Sequence, residues 1–223
     1  MNEPDDRDGR LEGELSMRLM TLATVLILIA GSAAAMPGCI DDWRDDNCPI
    51  VINFEGNYEL TGAESPVRFD ILATGDPILI GWTAAGGDEA FLCRDRDQNG
   101  TIDDGSEMFG NAVMLDDVTR ARNGFIALTT VDANFDAVID ALDPIWSELR
   151  LWRDVNHDGV SQPSEITPVA GSGLTAISLE YHRTGRRDSS GNTFRYESKA
   201  WIRDKEKNAT PRPVYDIFFV GAR

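Results

Sequence analysis

Cysteine, histidine and positive charge are all scarce in this chain, and each scarcity excludes a class of function. Three cysteines and two histidines, His157 and His182, among 223 residues show no zinc-ligand spacing, so a zinc site is not expected. The histidines also stand in no serine–histidine–acid arrangement of a conventional hydrolase. Lysine and arginine together number 21 against 38 acids, a formal charge of −17. Nucleic acid and anionic membrane both repel such a chain. Neither is expected as a partner, and membrane contact is expected only through a signal segment or a lipid anchor. Against these absences, hydrophobic residues make up 42%, with five tryptophans and nine phenylalanines. That is enough for the packed core of one ordinary domain plus appendages.

The acids are concentrated in three loops that follow one another between Asp95 and Glu165. Loop 3, residues 154–165, fits the twelve-residue EF-hand calcium pattern position by position. Asp154, Asn156 and Asp158 stand at positions 1, 3 and 5, Gly159 at 6, Val160 at 7, Gln162 at 9 and Glu165 at 12. Ca²⁺ takes six to eight hard oxygens, so a chain wrapping one ion presents alternate side chains inward, with the position-7 backbone carbonyl among them. Glycine at 6 permits the left-handed turn. Loop 1 begins the same way, with Asp95, Asp97, Asn99, Gly100, Thr101 and Asp103, but its glutamate, Glu107, arrives one residue late. Either an extra residue precedes the bend back at Glu107, or Asp103 and water complete the shell. Loop 2, residues 132–143, offers Asp132, Asn134, Asp136, Val138, Asp140 and Asp143, with Ala137 where glycine is expected. A left-handed alanine costs about 1–2 kcal/mol. Surface Asx-turns are the plain alternative, because Asp, Asn and Gly dominate turns. Loops 1 and 2 carry four carboxylates each and loop 3 carries three. Charge count favours the first two for affinity, and loop geometry favours the third. Three bound Ca²⁺ ions would bring the charge from −17 to −11.

The N-terminus reads as an export signal. Residues 19–35 carry no charge, have the apolar centre Val25-Leu26-Ile27-Leu28-Ile29-Ala30, and end in Ala33-Ala34-Ala35, a signal-peptidase site. Before it stand six acids (Glu3, Asp5, Asp6, Asp8, Glu12 and Glu14), wrong for a signal, whereas Met17-Arg18 makes a normal basic start. Translation is therefore expected to begin at Met17. An uncleaved anchor is the rival, since the run is just long enough to span a bilayer. Met36-Pro37-Gly38-Cys39 resembles a lipoprotein cleavage box, with Met and Pro poor at their positions, and makes Cys39 a lipidation candidate. In an exported chain Cys39 and Cys48 can close a disulfide, leaving Cys93 a buried thiol; if Cys39 is lipidated, Cys48–Cys93 becomes the candidate pair.

Residues 36–64 read as an acidic linker or a loosely attached strand, with one apolar run, Ile50-Val51-Ile52. From Pro66 the signals become regular. Val67, Phe69 and Ile71 alternate as in a half-buried strand, and residues 78–82 and 90–94 predict two more. The last delivers Asp95 into loop 1, so the entering element is not an EF-hand helix. Asn123 caps a predicted helix over 123–131, with Phe125, Leu128 and Val131 at helical spacing. Asp143-Pro144 starts a short turn, residues 149–153 alternate as a strand into loop 3, and Pro163 stands where a helix commonly begins. Strands over 176–181, 193–202 and 214–220 predict an antiparallel meander, with 185–192 as a polar hairpin loop.

Read together, these segments carry a family resemblance. Phe91-Leu92-Cys93-Arg94-Asp95-Arg96-Asp97-Gln98-Asn99-Gly100, followed by Ile102-Asp103-Asp104-Gly105-Ser106-Glu107-Met108-Phe109-Gly110, resembles a segment of bacterial calcium-loop modules, which also occur attached to large RTX-type exoproteins. Asn123-Gly124-Phe125-Ile126-Ala127-Leu128 is similar to a helix of that group. Leu149-Arg150-Leu151-Trp152-Arg153-Asp154 with Asn156, Asp158, Gly159, Ser161, Gln162 and Glu165 is similar to its later loop. The late glutamate is a regular feature of the group's first loop. The resemblance covers about residues 66–220 and implies calcium binding in an exported setting. Some members, the self-processing modules of iron-regulated RTX proteins, cleave an Asp-Pro bond when calcium binds. Pro66-Val67-Arg68-Phe69-Asp70 matches the strand after that bond, but Ser65 precedes Pro66, and serine lacks the carboxyl that attacks its own peptide carbonyl. Asp76-Pro77 and Asp143-Pro144 occur elsewhere, Asp143 as a loop ligand and Asp76-Pro77 as a turn.

The resulting expectation is an α+β domain at 65–223, with short helices and antiparallel strands around three EF-hand-like loops. A signal peptide at 1–35 and the linker at 36–64 precede it. Up to three Ca²⁺ ions stabilise or trigger its folding, and the setting is secreted or cell-envelope, with a lipid anchor at Cys39 as an option. Enzymatic activity is not the leading expectation; calcium-dependent cleavage at Asp76-Pro77 and a cell-surface adhesion or interaction domain are the alternatives. No segment names a protein partner.

Overall fold

The computed structural model describes residues 48–204, 206 and 208–222. Met17, the signal segment and Cys39 lie outside the described residues. The expected α+β architecture is not what forms. The structure is mostly antiparallel sheet, curled into a half-barrel, with one six-residue α-helix.

Nine strands make the main sheet. In chain order they are β1 (Ile50–Asn53), β4 (Glu89–Cys93), β5 (Val138–Asp140), β6 (Arg150–Trp152), β7 (Ile166–Pro168), β8 (Leu174–Ser178), β9 (His182–Arg187), β10 (Thr193–Arg203) and β11 (Ala209–Phe218). Their spatial order is β5-β8-β10-β11-β1-β4-β6-β7, with β9 also paired to β10. A separate hairpin joins β2 (Val67–Phe69) to β3 (Ile78–Ile80). The helix, α1 (Gly124–Thr129), is capped by Asn123, whose side chain accepts from the Ile126 N–H at 2.8 Å.

The helical expectation fails at the loop exits for a local reason. After Pro163 the chain makes a turn, and Ile166 enters the ladder at once, opposite Trp152. The Arg153 N–H donates to the Glu165 carbonyl at 3.0 Å, so these backbone groups are already spent on sheet pairing. Part of the expected 185–192 loop is likewise strand, because Arg186 and Arg187 pair with Phe194 and Thr193. Ile50-Val51-Ile52 is neither linker nor loosely attached. It is fully buried between β11 and β4.

Side-chain alternation explains why the central strands are apolar on both faces. Ile50, Ile52, Ala90, Leu92 and Leu151 point into one core with Phe125 and Leu128 of α1. Val51, Phe91, Cys93 and Trp152 point into a second core with Val67, Phe69 and Trp82 of the β2–β3 side. Period-2 alternation between two buried faces is what a sheet covered on both sides requires. Cys48 and Cys93 are both buried free thiols, so the alternative Cys48–Cys93 disulfide does not form.

Candidate metal centre

Each loop is delivered by an element of the fold. β4 ends at Cys93 and feeds loop 1, α1 precedes loop 2, and β6 ends at Trp152 just before loop 3. All three then adopt one backbone pattern, left-handed at the fourth and sixth positions. The φ values are 60° and 88° at Gln98 and Gly100, 59° and 63° at Phe135 and Ala137, and 59° and 71° at His157 and Gly159. Ala137 therefore occupies the strained conformation its position demands.

The hydrogen bonds repeat as closely. The first aspartate accepts a sixth-position N–H in every loop. Asp95 accepts from Gly100 at 3.0 Å, Asp132 from Ala137 at 3.0 Å, and Asp154 from Gly159 at 2.8 Å. The closing carboxylate reaches back to the second and ninth positions. Asp143 accepts from the N–H groups of Ala133 and Asp140, and Glu165 from those of Val155 and Gln162. Glu107 accepts from Arg96 at 2.8 Å and Asp103 at 2.9 Å. The late glutamate thus takes the place Glu165 holds in loop 3. A 3-10 turn at Gly105–Glu107, capped by Asp104, absorbs the extra residue.

Loop 1 brings its acids closest. Oxygens of Asp95, Asp97 and Glu107 lie within 4.8 Å of one another, and among the described residues no other group of three acidic, cysteine or histidine side chains does so. Asn99 and Thr101 donate to Asp103 around the same rim. Burial raises the Glu107 carboxyl pKa, and the charges of Asp97 and Asp103 add to the rise; the N–H groups of Asp103 and Arg96 oppose it. In loops 2 and 3, Asn134 and Asn156 donate to Asp136 and Asp158, and Gln162 also donates to Asp158. Val138 and Val160 receive no side-chain role. Their N–H groups donate to Asp136 and Asp158, and Val160 is 58% exposed, as a residue used only through its backbone tolerates. The donor set is oxygen throughout, while Asp132, Asp143, Asp154, Glu165 and Glu107 are buried. Buried carboxylates met by amide and indole N–H groups, with no cation beside them among the described residues, fit a hard divalent cation.

The family membership is decided by sequence. The SPM domain family matches residues 50–219. The chain belongs to that family. A relative of this SPM domain is the iron-regulated protein FrpA of Neisseria meningitidis serogroup C, 34% identical over 149 residues. The match takes in 66% of this chain and 13% of FrpA, so the chain spans a small part of that protein's length. Among the described residues, no helix is long and apolar enough to cross a membrane.

Three features of this SPM domain were not read from its sequence. The first is a fourth turn of the same design, in which Asp70 accepts from the N–H groups of Thr74 at 3.0 Å and Gly75 at 2.6 Å. Ala73 and Gly75 have φ of 51° and 85°. Leu72 and Thr74 stand where the other loops carry carboxylate or amide groups, and the Arg120 guanidinium donates to the Leu72 carbonyl at 2.9 Å. The readable signal is the five-residue step from aspartate to glycine shared with loops 1 and 3. The second is the indole clamp on loop 3, where Trp82 Nε1 donates to Asp154 at 2.8 Å and Trp152 Nε1 lies 3.4 Å from Glu165. The third is the join between loops 1 and 3. Ser161 Oγ accepts from the Ile102 N–H at 2.6 Å and donates to its carbonyl at 3.1 Å. Both residues are eighth in their loops. His157 adds a tie, with Nδ1 2.7 Å from the Thr83 carbonyl and Nε2 3.0 Å from the Ser65 carbonyl.

Proposed function

We propose that this is an exported calcium-binding domain whose loops 1, 2 and 3 take Ca²⁺, and that the ion stabilises or completes the fold. The observation that carries the reading is the repeated hydrogen-bond scheme. Three separate segments, one entered from a helix and two from strands, hold a first aspartate and a closing acid in equivalent positions, each met by backbone N–H groups. Such preorganisation lowers the ordering cost of binding, yet it leaves like charges facing one another in loop 1. Bound Ca²⁺ supplies compensating charge there. The residues supply the rest: Asp95, Asp97 and Glu107 converge, Asp132 and Asp143 bracket loop 2, and Asp154 and Glu165 bracket loop 3. A strand rather than a helix enters loops 1 and 3, and loop 3 is also left by a strand, which favours a structural ion over a helix-opening sensor. Extracellular calcium modules bind at about 10⁻⁴–10⁻³ M, so export itself would deliver the ion.

Isothermal titration of the mature chain with Ca²⁺ tests this, with three ions per chain expected and melting shifted down by EGTA. A stoichiometry of zero with an unchanged melting midpoint would remove the proposal. Incubation with Ca²⁺ should leave one full-length band on a gel. Two fragments divided at Asp76–Pro77, which lies in an exposed turn between β2 and β3, would favour self-processing instead.

A further inference from the structure

We propose that Asn99 is a spontaneous modification site, where the side-chain amide is lost through a cyclic imide and an aspartyl or isoaspartyl residue replaces it. The chain has two Asn-Gly pairs, Asn99-Gly100 and Asn123-Gly124, and the fold treats them oppositely. An imide forms when a backbone nitrogen attacks the side-chain carbonyl carbon of the residue before it. Glycine favours this step, because no Cβ obstructs the closing ring. In loops 2 and 3 the third-position amides, Asn134 and Asn156, precede Phe135 and His157, whose side chains crowd the nitrogen.

Loop 1 brings together what the reaction needs. Asn99 and Gly100 are both exposed, and a Cβ on Gly100 would meet nothing within 4 Å, so the ring and the water that opens it have room. Asn99 Oδ1 accepts from the Thr101 N–H at 2.8 Å and from the Thr101 hydroxyl. The first of these bonds closes an Asx-turn whose ring includes the Gly100 nitrogen, which keeps the side chain folded against that peptide. Two donors on one carbonyl oxygen draw electrons from its carbon and are in place for the negative charge of a tetrahedral intermediate. The Gly100 N–H points at the Asp95 carboxylate, 3.0 Å away. The Asn99 amide nitrogen donates to Asp97 at 2.9 Å and to Asp103. As the new nitrogen–carbon bond forms, that amide nitrogen leaves as ammonia with the proton Gly100 gives up. Water then opens the imide at either carbonyl, so the net change is one water taken up and one ammonia released.

Asn123 is protected. It is 1% exposed, and its Oδ1 caps α1 through the Ile126 N–H. A Cβ on Gly124 would fall 2.4 Å from the Phe109 carbonyl oxygen. Neither water nor the ring has space there, and closing the ring would cost the helix its cap.

Amide loss at Asn99 stands apart from the calcium reading, but its consequence rests on it. An isoaspartyl link inserts an extra backbone carbon between the fifth and sixth positions of loop 1, which moves the Gly100 N–H off Asp95 and breaks the register on which the ligands converge.

The full chain is aged in EGTA, with sucrose to hold it folded and circular dichroism to verify that it is. A second sample is aged in urea, and peptide mass spectrometry reads amide loss at each asparagine. In urea Asn99 and Asn123 should lose their amides together. In the folded chain Asn99 should lose its amide while Asn123, Asn134 and Asn156 keep theirs. Thr101→Val should slow the loss at Asn99 in the folded chain and leave it unchanged in urea; no slowing would overturn the part given to Thr101. An Asn99 amide kept in the folded chain while the unfolded chain loses it, or folded-state loss at Asn123 as fast as at Asn99, would overturn the proposal. The isoaspartyl fraction, separated by chromatography, should bind one Ca²⁺ fewer than fresh chain. Fresh chain that binds no Ca²⁺ would defeat the calcium reading and leave the amide loss standing.

Discussion

Gly100 and Gly159 hold the same position in loops 1 and 3, both left-handed, yet their surroundings differ. A Cβ on Gly100 meets nothing within 4 Å, whereas one on Gly159 falls 2.3 Å from a Val67 methyl and 3.0 Å from the Arg68 carbonyl. Gly100→Ala should cost only the left-handed penalty, about 1–2 kcal/mol. Gly159→Ala should cost about 1–3 kcal/mol more, because Val67 is a branched core residue of β2 that has no room to retreat. Denaturant midpoints measured at saturating Ca²⁺ check the difference, and equal losses would contradict the docking of loop 3 on β2. Asp216 makes a prediction of another kind. Its burial, opposed by the Gly124 N–H, the Cys48 thiol and Arg195, pushes its carboxyl up to about 7. An unfolded aspartate titrates near about 3.9, so between these values the folded chain keeps a proton that the unfolded chain has lost. Stability must fall as pH rises through that window, by about 4 kcal/mol at most. Asp216→Asn should remove the slope, leaving the variant more stable than the parent at pH 8 and without that advantage at pH 4. Melting of both chains across the range decides it, and parallel curves would mean Asp216 is ionised throughout.

At the scale of elements, the join between Ser161 and Ile102 makes loops 1 and 3 one unit. Loop 2 differs, since its eighth residue, Ile139, pairs with Ile177 of β8 instead. Ser161→Ala would strand both the N–H and the carbonyl of buried Ile102, at about 1–3 kcal/mol for each unsatisfied group, and would uncouple the loops. The two indoles on Asp154 and Glu165 report loop 3 by their fluorescence. In the parent, Asp95→Ala in loop 1 should shift the calcium midpoint of that signal; in the Ser161→Ala background it should not. An unchanged midpoint in the parent would show that the loops act independently. Much at this scale was legible in sequence. Val67 with Phe69, the strand into Asp95, the helix capped by Asn123 and the strand before Asp154 form where alternation and capping place them. The fold class was not legible. Pro163 carries a helix-start signal, but the tertiary pairing of Ile166–Pro168 with β6 overrides it. The run at Ile50-Val51-Ile52 was too short and too isolated to disclose that it sits in mid-sheet, which depends on partners 38 or more residues away. The Asp70 turn escaped because its ligand positions hold Leu72 and Thr74, so shape without charge gave no motif.

For the whole molecule, the two cores converge on the loops. Trp82 and Trp152 belong to the second core and also donate to loop 3, while in the first core Phe125 and Leu128 precede loop 2 and Ile139 lies within it. Both cores thus include residues that touch or adjoin the loops, so if the loops take Ca²⁺ as proposed, ion binding and folding should be one transition. Linkage then states how stability depends on the ion. Each site filled only in the folded chain contributes RT ln(1 + [Ca²⁺]/Kd), about 2.7 kcal/mol at a hundredfold excess over Kd. Well above every Kd, a tenfold rise in Ca²⁺ should stabilise the chain by about 1.4 kcal/mol per site, hence about 4 kcal/mol for three. Urea unfolding at a series of free Ca²⁺ concentrations reads that slope directly. Asp132→Ala should lower it by one site's worth, because loop 2 stands apart, whereas Glu107→Gln should also weaken loop 3 through Ile102 and Ser161. A slope near zero in the parent would separate the ion from the fold, and the loops would then be only turns.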